Sequence, residues 1–141
     1  MFKINGIELE MNLFDVEEKE FFNECFKNAN EKIQQATKEI KDGEPDTVFM
    51  RKYCQAIIDF IDEFFGEGTA NDIFEGRTDM KKCALAIQEI VKEKIRQDKE
   101  FAEINKQATS LIFDFEQSSS NEFEKFSPNR AQRRLAAKHK N

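Results

Sequence analysis

Tryptophan is absent from this chain, and tyrosine and histidine occur once each. The single histidine, His139, is the third residue from the end. No imidazole therefore lies on a helix or strand of the chain's body to serve as a base or a metal ligand. Two prolines and five glycines in 141 residues leave long uninterrupted segments, which favours helix over sheet. No apolar run approaches the ~20 residues a membrane-spanning helix needs. The opening stretch FKINGIELEMN lacks the apolar core of a secretory signal. The three cysteines, Cys25, Cys54 and Cys83, form no C-x-x-C pair. An odd count with no signal reads as reduced thiols in a cytoplasm. A zinc site would need four ligands, so three separated thiols read as small core hydrophobes instead.

Phenylalanine is abundant: fifteen residues. The phenyl ring has no polar handle, so these side chains belong to a core or to an apolar docking surface. Net charge is −6 and uneven. Residues 127–141 hold Arg130, Arg133, Arg134, Lys138 and Lys140 and no acid, so they carry +5 and the rest carries −11. An acidic body argues against nucleic-acid binding by the whole protein; the basic end alone has the chemistry for RNA or for an acidic protein surface.

Residues 2–11 read as a β-hairpin. Phe2 and Ile4 alternate before Asn5-Gly6, and Ile7, Leu9 and Met11 alternate after it. Asn-Gly is the favoured type I′ turn. A lone hairpin is marginal in water, so it must lie on the helices or pair with another subunit. Asp15 is an N-cap with Glu18 at the capping-box position, opening a helix expected to reach about Asp42 before Gly43. Phe22, Phe26, Ala29, Ile33, Ala36 and Ile40 form a heptad seam along it. That seam suits a bundle within one chain or pairing with a second copy.

The next helix is expected at about 46–65, behind Pro45, and is nearly encircled by apolar residues in its second half. A short helix, roughly 70–75, is expected between a Thr69 cap and Gly76. The last long helix carries Met80, Cys83, Ala84, Ile87, Ile90, Val91 and Ile95, then Phe101, Ile104, Ala108, Leu111, Ile112 and Phe115. It reads as one helix or as two with a break near Gln97–Asp98. Gln117–Asn121 reads as a linker. The expected architecture is mostly α: a small bundle of three to five helices over 1–117, with an N-terminal β-hairpin. A linker and flexible basic tail follow at 118–141.

No catalytic signature emerges: the acids Glu17, Glu18, Asp59, Asp62, Glu63 and Glu67 fall mostly on solvated faces, and no cofactor is implied. Gly66-Glu67-Gly68-Thr69 precedes a helix as a phosphate loop would, but no strand leads into it and no Gly-Lys follows, so it reads as a tight turn. The candidate protein-binding residues are Phe64 and Phe65 at the apolar break, Phe74 beyond it, and Arg130, Arg133 and Arg134 in the tail. Phe113 and Phe115 are further candidates.

The phrases INGIELEMNLFD, FFGEGTANDIFEGRTDM after an apolar helix, and the closing SPNRAQRR together resemble a family of small proteins from phages and prophages of Gram-positive bacteria. The resemblance covers most of the chain, and FFGEGTxxxIFxG is its most specific part. Members look like tail assembly chaperones of long-tailed phages. The resemblance implies binding without catalysis. The partners would be the helical tape measure protein and the tail tube protein, met in the host cytoplasm and left out of the mature virion. Other classes remain open: a small nucleic-acid-binding or regulatory phage protein using the basic tail, or a minor structural tail component.

Overall fold

The computed structural model describes residues 1–126 in two units, 1–99 and 100–126, with the side chains of 119–126 left aside. The element order is β1 (Phe2–Ile4), β2 (Ile7–Leu9), α1 (Val16–Lys38), α2 (Asp46–Phe65), α3 (Thr69–Phe74) and α4 (Met80–Phe126). Four helices and an N-terminal hairpin match the expected architecture. Arg130, Arg133 and Arg134, with the rest of the expected basic tail, lie outside the described residues.

The hairpin is antiparallel, with Phe2 opposite Leu9 and Ile4 opposite Ile7. Asn5 and Gly6 both take positive φ, 50° and 81°, as a type I′ turn requires. The hairpin is not free-standing. Ile4 and Leu9, then Met11 and Leu13 beyond the second strand, are buried in the helical core. The Asn5 side-chain amide donates to the Ile73 carbonyl at 2.7 Å, tying the turn to α3.

Asp15 caps α1 by accepting from the Glu18 N–H. The Glu18 carboxylate accepts from the Asn12 N–H, outside the cap residue itself, and so fixes the loop entering the helix. α1 ends at Lys38, four residues before the expected stop. The Thr37 hydroxyl donates back to the Ile33 carbonyl, a local bond that competes with further helix. Ile40 consequently leaves the seam and is exposed.

The seam that remains packs within the chain. Phe22 is fully buried, stacked on Phe26 and edge-on to Phe60 and Phe64 at 5.6 and 5.2 Å. Farther along, Lys32 pairs with Asp59 and Lys52 with Glu39, so α1 and α2 run antiparallel. α2 is the most buried helix: Cys54, Ala56, Ile57, Phe60 and Ile61 are all core. The α1 seam is thus occupied by α2.

α4 is continuous through Gln97–Asp98, where the apolar pattern thins. The reason is Gln97. It is 4% exposed, and its amide binds the segment between hairpin and α1: Nε2 donates to the Met11 carbonyl at 2.9 Å, and Oε1 accepts from the Leu13 N–H at 2.7 Å. A polar residue sits on the buried face here because the loop's backbone needs partners. Ile95, read as part of the buried stripe, is exposed instead. The helix also continues through Gln117–Asn121, which composition marks as a linker. Serines are tolerated once a long helix is nucleated, because each added residue only propagates it.

Candidate functional site

The chain breaks at Phe64-Phe65-Gly66-Glu67-Gly68. Gly66 and Gly68 have φ of 117° and 92°, values an L side chain rarely adopts, so the glycines permit the sharp reversal from α2 into α3. Thr69 does not cap α3: the N-cap residue is Gly68, and no side chain caps from that position. Instead the Asp62 carboxylate, from the last turn of α2, accepts from the Ala70 N–H at 2.9 Å. The place an anion would take at this helix start is filled by the chain's own carboxylate. The phosphate-loop reading is closed by that bond, and the tight-turn reading stands.

The reversal organises aromatic rings at the surface. Phe64 and Phe65 meet edge-on at 4.9 Å. Phe65 contacts Phe2 of the hairpin at 6.2 Å, and Phe64 contacts Phe21 of α1 at 5.8 Å. The rings Phe2, Phe65, Phe64 and Phe21 therefore form one connected strip drawn from three elements. Phe21 is 42% exposed, and the other three are half-buried against the core. Phe74 does not join them. Its ring is 2% exposed among core side chains, so it has almost no surface to offer a partner. One turn beyond Ala70 on a short helix, the ring turns inward into the core cluster that also holds Ile4, Leu9 and Ile90.

The sequence singles out Phe64 and Phe65 at the break but not Phe21 and Phe2, which the structure places beside them. Phe21 had a signal: it directly precedes Phe22 and so flanks the seam, at the edge of the buried face. Phe2 had none beyond strand alternation, because its contact with Phe65 spans the whole hairpin and two helices.

The other candidate chemistry is self-satisfied. All three cysteines are buried and free. Burial, then a hydrogen bond to Glu63, pushes the Cys25 thiol up to about 12. Burial and the adjacent Cys54 thiol push Cys83 up to about 12. Such thiols stay protonated and unreactive at neutral pH. Among the described residues no group of three or more His, Cys, Asp or Glu side chains is placed to hold a metal ion. A groove of about 590 Å³ runs between α1 and α2 over Ala36 and Ala56. Its rims are Lys32, Asp59, Lys52 and Glu39, already joined in ion pairs. Glu93 and Asp98 sit below the usual carboxylate range, held there first by Arg96 and by Lys94 respectively. These pairs brace α4 at the Gln97 clamp, and Lys19 of α1 adds to Asp98 at 3.2 Å. Among the described residues no helix is long and apolar enough to cross a membrane.

Fold and surface together define a small helical protein whose hairpin is built into the bundle and whose distinctive surface feature is aromatic. The chain belongs to a family of unknown function, DUF6673, whose model matches residues 5–137. Comparison with curated proteins and with solved structures gives no match.

Proposed function

We propose that this protein is a non-enzymatic tail assembly chaperone of a long-tailed phage, binding the tape measure protein, the tail tube protein or both in the bacterial cytoplasm. The sequence resemblance supplies the biological setting. The observation that supports a binding role is the aromatic strip Phe2–Phe65–Phe64–Phe21. These rings are anchored in the core on one side and partly open to solvent on the other. Rigid, half-buried aromatics lose little conformational entropy on docking, and they suit the apolar face of an amphipathic helix laid across them. The acidic body keeps such a patch soluble between encounters.

The test is co-expression with tape measure and tail tube proteins, followed by pull-down on this chain and mass spectrometry. Recovery of either protein is expected, tolerant of moderate salt and lost in Phe21→Asp. Phe21 is the variant of choice because its exposure lets the fold survive. Recovery of nucleic acid alone, abolished by high salt, would overturn the reading in favour of a regulatory protein acting through its basic end. Presence of the protein in purified virions would overturn it in favour of a structural tail component.

A further inference from the structure

The second unit contains one long stretch of described side chains, residues 100–118 of α4. Phe101, Ile104, Ala108, Leu111 and Phe115 follow one another at spacings of 3, 4, 3 and 4. That is a heptad a/d seam held for two full heptads. Ile112 widens it. Yet four of these side chains are open: Ile104 and Ile112 are exposed, Leu111 is 69% exposed and Phe115 is 74% exposed. At about 150–250 Å² per large aromatic side chain and somewhat less per aliphatic one, these four expose roughly 500 Å². That is toward the upper end of the largest apolar patch on an ordinary monomer, and patches of that size are often binding surfaces.

We propose that this seam is covered by the same seam of a second copy, in an antiparallel two-helix coiled coil centred between Ala108 and Leu111. Three features support this occupant and this direction. First, the area is of the right size: two copies together can cover up to roughly 1,000 Å², about what a specific protein interface must reach. Second, the antiparallel register sets small against large. Leu111 faces Ala108 of the second copy, and Phe115 faces Ile104 of the second copy, so the layers interdigitate. A parallel register sets Ala108 against Ala108 and leaves a void at the centre. Third, the flanking positions accept it. Gln107 lies opposite Asp114 of the second copy, and Asn105 lies opposite Ile112 of the second copy, so no like charges meet. The pairing is two-fold symmetric and closes on itself. Phe113 falls outside the seam, on the far side of the helix. This dimer does not use the aromatic strip of residues 1–99 and does not depend on its role.

Sedimentation equilibrium of the full chain from low to high micromolar tests the proposal. The expected mass is twice the 16.5 kDa of one chain. Leu111→Glu and Phe115→Glu, each buried in the dimer, are expected to weaken it at least about tenfold. Phe113→Ser, off the seam, is expected to leave it intact. Far-UV circular dichroism confirms that each variant retains its helix. With Ala108→Cys and Leu111→Cys placed in separate chains and mixed, oxidation should yield the mixed cross-link in preference to either self-pair. A single-chain mass at high micromolar would overturn the proposal. So would a dimer indifferent to both glutamates, or preferential Ala108→Cys self-pairing.

Discussion

Two regions of one helix meet opposite fates. In residues 80–99, α4 carries Met80, Cys83, Ile87 and Ile90 at spacings of 3, 4 and 3, and these side chains are buried or packed against the core. In residues 100–118 the same helix continues the same 3–4 alternation with Ile104, Leu111 and Phe115, and all three are exposed. Local sequence makes no distinction between the halves. The difference is that the first half packs into the core of its own unit, whereas Ile104, Leu111 and Phe115 stay open among the described residues. An apolar stripe is a demand for burial, and the stripe alone does not say what answers it.

The largest effect expected is on the buried side. Phe22→Ala removes a fully buried ring that touches Phe26, Phe60 and Phe64, and it should destabilise the fold by about 3–5 kcal/mol in urea denaturation. The contrasting change, Leu111→Ala, should move the stability of the 1–99 unit by no more than about 0.5 kcal/mol. If both changes destabilise that unit alike, the contrast between the halves is wrong.

Gln97→Ala comes next. It strips the Met11 carbonyl and the Leu13 N–H of their buried partner, at a cost of about 1–3 kcal/mol. Hydrogen exchange at residues 11–13 should accelerate before exchange in α2 does. Uniform acceleration would mean that the clamp supports the whole core and not the loop alone.

Thiol titration probes the same interior. Cys25 and Cys83 have folded pKa values raised to about 12 from an ordinary 9.0. A raised value means the native state holds its protons while the unfolded chain releases them. Stability is therefore full below pH 9 and falls as pH rises toward 12. At neutral pH a thiol reagent should react with none of the three cysteines until denaturant is added. Prompt reaction of one would show that its helix opens locally.

The smallest effect belongs to the rim. Asp98 is held below its ordinary 3.8 by Lys94 first and by Lys19. A depressed carboxylate contributes stability that is present above that value and is lost as pH falls below it. The pair is more than a third exposed, so screening leaves a few tenths of a kcal/mol at most. Asp98→Asn should lower neutral stability by no more than about those few tenths and leave stability in strong acid unchanged, which flattens the acid limb of the pH profile.

Much of this was legible beforehand. The Asn5-Gly6 turn, the Asp15 cap, the span of α2 and the glycine break after Phe65 all rest on rules that act within a few residues. The aromatic strip was half legible. Phe64 and Phe65 announced themselves beside Gly66, but their contacts Phe21 and Phe2 lie more than forty residues away along the chain. Phe74 looked equivalent to them and turned out to be core, among residues of the hairpin and the other helices that are distant in the chain.

Sequence by itself determined the element types, their order and the apolar stripe on each helix, since periodicity and capping are properties of neighbouring residues. Only the tertiary structure decided which stripes were already covered. It placed α2 on the seam of α1, replaced an expected Thr69 cap by Asp62, and turned the weak point at Gln97 into a clamp. Each of those outcomes depends on a partner distant in the chain. A residue's demand for burial or for a hydrogen bond is written locally, but what meets it is chosen by the fold.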